Sequence, residues 1–240
     1  MQQWSGQHLT ALVVTVLVAL VLVAGGRRQG RGWARAVGRG LAAVIIAAYA
    51  VEQLTYALRG DWTPRLNLPL HLTDAVTLVS VAALWRPERS LLVELVYFWA
   101  LTASLQAVLT PDLGQSFPDV LFFTYFVTHS GAVAAACLLV FGARRLPRRG
   151  AVWRAYTSTA AFAGLAAVGT LLTGGNYMYL RRKPPDGSLL DLMGPWPVYI
   201  AAAAAMGLIM FLGLAALARR LDPPRAGPRP PAKGGAAATG

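Results

Sequence analysis

The sequence predicts an all-α fold: a polytopic membrane bundle of seven transmembrane helices. Three observations predict it. Of 240 residues, 56% are hydrophobic and 13% are charged, about half the charged share of a typical soluble domain. The apolar residues gather in runs close to the roughly 20 residues that a spanning helix needs. The cations cluster in the short loops between those runs. Seven runs qualify, at about 8–25, 37–58, 66–85, 90–109, 118–142, 156–174 and 197–218. Residues 1–220 therefore read as one seven-helix transmembrane domain. Residues 221–240, rich in Pro, Gly and Ala, have too little apolar content to fold and are expected to be a disordered cytoplasmic tail.

The elements can be justified in order. No Lys or Arg precedes Arg27, so the first run lacks the basic start of a secretory signal and reads as a retained helix. The second places Tyr49, Glu52 and Tyr56 at i, i+3 and i+7, on one helical face. The third opens as "RLNLPLHLTDAV", with Asn67, His71 and Asp74 at i, i+4 and i+7. The fourth sets Thr102 and Gln106 one turn apart near one end, and Glu94 near the other, where snorkelling or an Arg partner suffices to explain it. The fifth opens as "SFPDVLFFTYFVTHS", with Asp119 at its mouth and Tyr125 and His129 one turn apart, deeper. The sixth and seventh contain "STAAFAG" and "AAAAAMG", small-residue stretches suited to close helix packing.

Charge sets the expected orientation. Seventeen of the 22 Lys and Arg residues fall in the loops after the first, third and fifth runs and in the tail, and the other five are Arg59, Arg65, Arg181, Arg182 and Lys183. Lys and Arg favour the cytoplasmic side, so the N-terminus is expected outside and the C-terminus inside. A net charge of +12 invites a nucleic-acid reading, but its confinement to inter-helix loops argues against one, and no nucleic-acid partner is expected. The one cysteine, Cys137, lies in an apolar run and gives neither an intramolecular disulfide nor a metal motif.

An ionisable group inside a membrane costs several kcal/mol unless paired or wetted, so each is a functional candidate. With this orientation, most such groups fall in the outer half of the bundle. His71, Asp74 and His129 are candidates for catalysis. Glu52, Gln106, Tyr125, Asn176, Tyr177 and Tyr179 are candidates for lining an outward cavity. Gln53, Thr102, Gln106 and Asn67 also suit interhelical hydrogen bonding. His71, His129, Glu52 and Asp74 could ligate a metal, but they lack metal-motif spacing; neither metal nor cofactor is expected. The loop "GGNYMYLRRKPPDGSLLDLMGPWP" sits above this set. Arg181, Arg182 and Lys183 defy the positive-inside trend there, either as a solvated connector touching lipid phosphates or as part of a lid that recruits an anionic group.

Four motifs in order, "LNLPLHLTD", "YFWALTASLQAVLTPDL", "YFVTHSG" and "GGNYMYLRRKP…SLLDLMGPWPVYI", resemble the YwaF-like family of bacterial integral membrane proteins. The resemblance covers nearly the whole chain except the tail and implies a multi-pass location in a bacterial inner (plasma) membrane. That family is distantly similar to a mammalian transmembrane acyltransferase that remodels ether phospholipids through a cysteine nucleophile. It is also similar to membrane threonine hydrolases acting on fatty-acid esters of hydroxy fatty acids. The family position two after the His of "LPLHL" is often Cys; here it is Thr73. The resemblance implies Thr73 as nucleophile, His129 as base, and membrane lipids as partners. The departure from Cys is equally consistent with an inactive member or a position that was never catalytic. On a helix, His71 and Thr73 lie about 200° apart, so at most one of them would face the cavity squarely. Two functions stay open: acyl transfer or ester hydrolysis on a lipid, and binding or transport of a small solute, proton or cation.

Overall fold

Runs this apolar satisfy their backbone polar groups internally only as helices. The computed structural model describes residues 2–184 and 188–221, and among them the regular structure is helical throughout, with no strand. The elements are α1 (Gly6–Leu58), α2 (Leu72–Trp85), α3 (Ser90–Trp99), α4 (Leu105–Leu109), α5 (Val120–Ala136), α6 (Ala151–Thr173) and α7 (Val198–Arg220). A π turn, Ala100–Ser104, joins α3 to α4, and a second, Cys137–Gly142, extends α5. Among the described residues five stretches are long and apolar enough to cross a membrane: α1, Ser90–Leu109, Val120–Gly142, α6 and α7, while α2 is shorter at 14 residues. Leu20, Val21, Leu171, Leu172 and Ile209 are more than half exposed. Such outward apolar flanks suit hydrocarbon surroundings better than water.

The first two runs, expected as separate helices, form the two helical arms of α1, which meet at a break at Gly30, where φ is 80° and ψ is −171°. That backbone region is essentially open to glycine alone. The break reverses the chain. Thr15 Oγ1 and Ser130 Oγ are 2.7 Å apart, and a Cβ placed on Gly131 would meet Ile45 Cγ1 at 2.7 Å. Residues fifteen before and fifteen after Gly30 thus touch the same level of α5. The two arms of α1 run beside α5 in opposite directions.

The third run departs from expectation: helix begins only at Leu72. Pro64 and Pro69 lack an N–H and bias the residues before them away from α geometry. Residues 63–71 instead form turns, with the Asn67 side-chain carbonyl accepting from the Thr63 N–H at 2.9 Å. Asn67 therefore shares no helical face with His71 and Asp74. The sixth helix starts earlier than expected, at Ala151, which takes Trp153 and Arg154 into its first turn. The tail, residues 222–240, lies outside the described residues, as do Pro185, Asp186 and Gly187 of the loop before α7.

The connections sort into two ends. At one, Arg59 pairs with Asp119, Tyr179 bonds to Asp112, Tyr177 bonds to Pro64, and Gln7 accepts from the Phe117 N–H. At the other, Arg27 bonds to the Phe141 carbonyl and Arg145 to that of Pro87. Here too Glu94, 1% exposed, is clasped by Arg148 and Arg154, each with a 2.8 Å contact. An unpaired carboxylate at such a site would be strongly unfavourable. Between the ends, Ile45, Val76, Leu84, Phe98, Ala132 and Leu138 form the core. Trp99, at the end of α3, donates its indole N–H to Thr159 Oγ1 at 2.8 Å.

The contact between Gly131 and Ile45 leaves no room for a methyl group. Gly131→Ala is expected to destabilise by about 1–3 kcal/mol through overpacking, read as a lower Tm in detergent. Gly164→Ala, on α6 with nothing within 4 Å of the added Cβ, is expected to leave Tm unchanged or raise it slightly.

Candidate functional site

The end that carries the N-terminus gathers most of the expected site. Glu52, on the second arm of α1, interacts electrostatically with Asp74 at the start of α2 and with Tyr125 on α5. Its side chain also contacts the Thr124 hydroxyl. Tyr49 interacts with both Asp74 and Glu52, and Tyr56 with Glu52, as their shared helical face requires. Tyr125 in turn senses Tyr179 and Asp112 from the two loops that cover the bundle. Three helices and two loops thus meet around these carboxyl and phenol groups.

The two histidines are held differently. His71 is not helical: it is the N-cap of α2, with φ −80° and ψ 148°. Its N–H donates to the Asp74 carboxylate at 3.1 Å, so Asp74 serves as a helix cap. The His71 ring packs edge-on against Tyr177 at 5.3 Å and lies 5.6 Å from Tyr179. Because His71 precedes the helix, the wheel argument separating it from Thr73 does not apply. Thr73 heads the stripe that continues through Thr77, Ser80 and Leu84, all buried, so it stands on the inward face of α2. Its carbonyl accepts from Thr77 Oγ1 at 2.8 Å, while its hydroxyl makes no hydrogen bond among the described residues.

His129 stacks on Tyr125, with centroids 4.2 Å apart and planes at 18°. Its Nδ1 lies 2.9 Å from the Tyr125 carbonyl and 3.2 Å from Thr128 Oγ1. A carbonyl can only accept, so Nδ1 carries the proton and Nε2 is left with its lone pair. Nε2 makes no hydrogen bond among the described residues, and the ring is not fully enclosed. Thr73 and His129 are not hydrogen-bonded to each other.

The remaining candidates are largely committed to holding the loops. Asn176 is a brace: its Oδ1 accepts from the Arg181 and Arg182 N–H groups, and its Nδ2 donates to the Arg182 carbonyl at 2.8 Å. The buried Tyr177 hydroxyl donates to the Pro64 carbonyl at 2.6 Å and accepts from the Leu68 N–H at 3.1 Å, pinning the segment that leads to His71. The Tyr179 hydroxyl donates to Asp112 at 2.8 Å, and the Tyr199 hydroxyl donates to the Tyr179 carbonyl. Burial, with Asp112 beside it, holds the Tyr179 phenol above the ordinary tyrosine range, so it stays a donor. Gln106 donates to Thr110 at 2.7 Å, and the Tyr125 hydroxyl to the Ala107 carbonyl at 2.9 Å. Arg181 and Arg182 are exposed; Lys183 folds back over the Tyr199 ring at 5.6 Å and beside Asp191 at 3.8 Å. The loop cations thus decorate the surface above the cluster.

Some participants carry little sequence signal. Tyr49 was visible on its helical stripe, and its hydroxyl has no hydrogen-bond partner among the described residues. Asp112 and Thr124 join only through folding. His8, buried in α1, is spent on structure: one ring nitrogen accepts from the Trp4 N–H at 3.0 Å and the other donates to the Val108 carbonyl at 2.9 Å. Among the described residues, no three His, Cys, Asp or Glu side chains gather in a metal-holding arrangement.

The Tyr177 hydroxyl fixes two backbone groups at once. Tyr177→Phe should leave a buried N–H and carbonyl unpaired, at about 1–3 kcal/mol each where no water replaces the bond. The expected result is faster amide exchange across residues 63–70 and a lower Tm, with little change at the far end of the bundle.

A family model described as the TMEM164 family matches residues 3–215. No curated protein and no solved structure matches the chain.

Proposed function

The chain belongs to the TMEM164 family, and on that premise we propose that this membrane protein works on the acyl group of a membrane lipid at the polar end of its bundle. In this reading the two arms of α1 and the shorter α2 each cross the bilayer, making seven passes. The cation-rich end is cytoplasmic, the N-terminus is outside, and the membrane is the bacterial plasma membrane. The reversal at Gly30 and the sorting of the connections into two ends support the count. The excess of Arg at one end supports the orientation.

The observation that carries the chemistry is the locked tautomer of His129. With Nδ1–H committed to the Tyr125 carbonyl, Nε2 is presented as a base inside a polar, partly enclosed site. Thr73 Oγ would attack the ester carbonyl of a lipid as His129 Nε2 takes its proton, after a closure that brings the two within about 3 Å. The imidazolium would return that proton to the departing alcohol oxygen, leaving an acyl–threonine ester. Water or an acceptor alcohol, deprotonated by the same nitrogen, would then release the acyl group. Tyr49, its hydroxyl unspent, is suited to donate to the oxyanion. Glu52 and Asp74 would steady the imidazolium. Arg181 and Arg182 at the rim would hold a lipid phosphate.

A second reading has its own observation. Glu52 and Asp74 lie within electrostatic reach of one another, and two such carboxyl groups share a proton or a cation readily. Binding or transport of a proton, cation or small solute would use this pair and need no nucleophile.

Lipidomics of membranes with and without the protein, repeated for His129→Ala and Thr73→Ala, separates these readings. Acyl chemistry predicts a lipid class whose acyl composition depends on the wild-type chain and reverts in both variants, each folding to a near-wild-type Tm. Loss with His129→Ala but not with Thr73→Ala would remove Thr73 as nucleophile and leave His129 activating water. Unchanged lipids, with solute flux into liposomes that survives Thr73→Ala, would favour transport.

A further inference from the structure

A cavity lies away from the polar cluster. It sits at the opposite end, where the α1 hairpin turns against the π extension of α5, and has a volume of about 430 Å³. Arg27, Arg31 and Arg144 line it, together with Gly30 and Gly142. None of these three arginines belongs to an ion pair among the described residues; the nearby Glu94 is taken by Arg148 and Arg154. Arg27 is braced, its Nε donating to the Phe141 carbonyl at 3.1 Å, which leaves the rest of its guanidinium free. Arg144 follows the π turn with φ 54°, a left-handed residue held by the turn. Beside the cavity, burial and then the like charges of Arg31 and Arg35 lower the pKa of Arg145, against a smaller opposing pull from Glu88, which does not line the cavity.

Converging guanidinium groups without a carboxylate repel one another unless an anion joins them. Guanidinium forks match phosphate oxygens in pairs, and a space of this size accommodates a small head group. An adjoining dimple of about 10 Å³, with no room for a chain to enter, shares Arg27 and Arg144 and is otherwise lined by the side chains of Val140, Phe141, Leu146 and Leu221. Cations therefore open directly onto apolar wall, an arrangement that a free anion does not need and a phospholipid does. We propose that this cavity binds the phosphate of an anionic phospholipid, with Arg27, Arg31 and Arg144 as its ligands and an acyl chain running over the apolar side chains beside it. The site stands apart from the polar cluster and does not depend on acyl chemistry there.

The test uses the full chain, purified in mild detergent and examined by native mass spectrometry and thermal unfolding against added phosphatidylglycerol, phosphatidylcholine or inorganic phosphate. Phosphatidylglycerol should be retained and raise Tm, and phosphatidylcholine should not. Arg31→Gln/Arg144→Gln should weaken retention by roughly tenfold or more, the scale of a lost charge-assisted contact. Arg219→Gln/Arg220→Gln, which removes the same charge outside the cavity, should retain the lipid as wild type does. Stabilisation by inorganic phosphate that is lost in the cavity variant would support the phosphate site and make its source a soluble anion. Equal retention by both double variants, equal loss from both, or equal binding of phosphatidylcholine would overturn the site and leave only diffuse surface charge. His129→Ala should leave lipid retention unchanged, so failure of the acyl chemistry and failure of this site are read separately.

Discussion

The arrangement depends on how closely α5 is approached from two sides. Ile45 reaches its backbone at Gly131, while Thr15 is bonded to Ser130 next door. That single level of contact fixes both arms of α1 against the same helix. It sets the depth of Glu52 relative to Tyr125 and His129, because Glu52 lies two turns beyond Ile45 and His129 lies just before Gly131. Burial of apolar surface supplies attraction without direction; the missing side chain at Gly131 makes one approach distance possible.

Around that level the polar end is economical with its donors. Asn176, Tyr177, Tyr179, Gln106 and Asp74 each hold backbone or a neighbouring side chain in place. They give the site its shape, and the groups left for chemistry are few: the Nε2 lone pair of His129, the hydroxyls of Thr73 and Tyr49, and the Glu52 carboxyl. A site built this way keeps its loops ordered in a bilayer, where unsatisfied backbone is costly, and holds a small set of groups in reserve.

Much of this was legible in the sequence, and the rest was hidden for definite reasons. Apolar length located the helices, and the face shared by Tyr49, Glu52 and Tyr56 emerged as spacing predicts. The gathering of polar groups at one end follows from depth along each helix. The start of α2 was misread because hydropathy ignores Pro64 and Pro69, which keep residues 63–71 in turns. The role of Asn176 was missed because an amide in a loop gives no sign of whether it faces a cavity or its own backbone. His8 is absent from the candidate set because its partners, Trp4 N–H and Val108 carbonyl, are backbone groups with no sequence signature. The cationic cavity was read only as topology, since charge counting does not reveal that Arg27 and Arg31, more than a hundred residues before Arg144, converge with it on one hollow.

The π turn at Ala100–Ser104 has a consequence for helical phase. A π turn accommodates roughly one residue more than the α turn it replaces, and one residue corresponds to about 100° of rotation. The faces of α4 are therefore out of step with those of α3. Val108, whose carbonyl receives the His8 proton, and Gln106, which faces Thr110, occupy directions that a wheel drawn from Ser90 would assign to other residues. The stretch Ser90–Leu109 behaves as two short rulers joined with an offset. One end is keyed to the clasp on Glu94, and the other is keyed independently to the N-terminal arm.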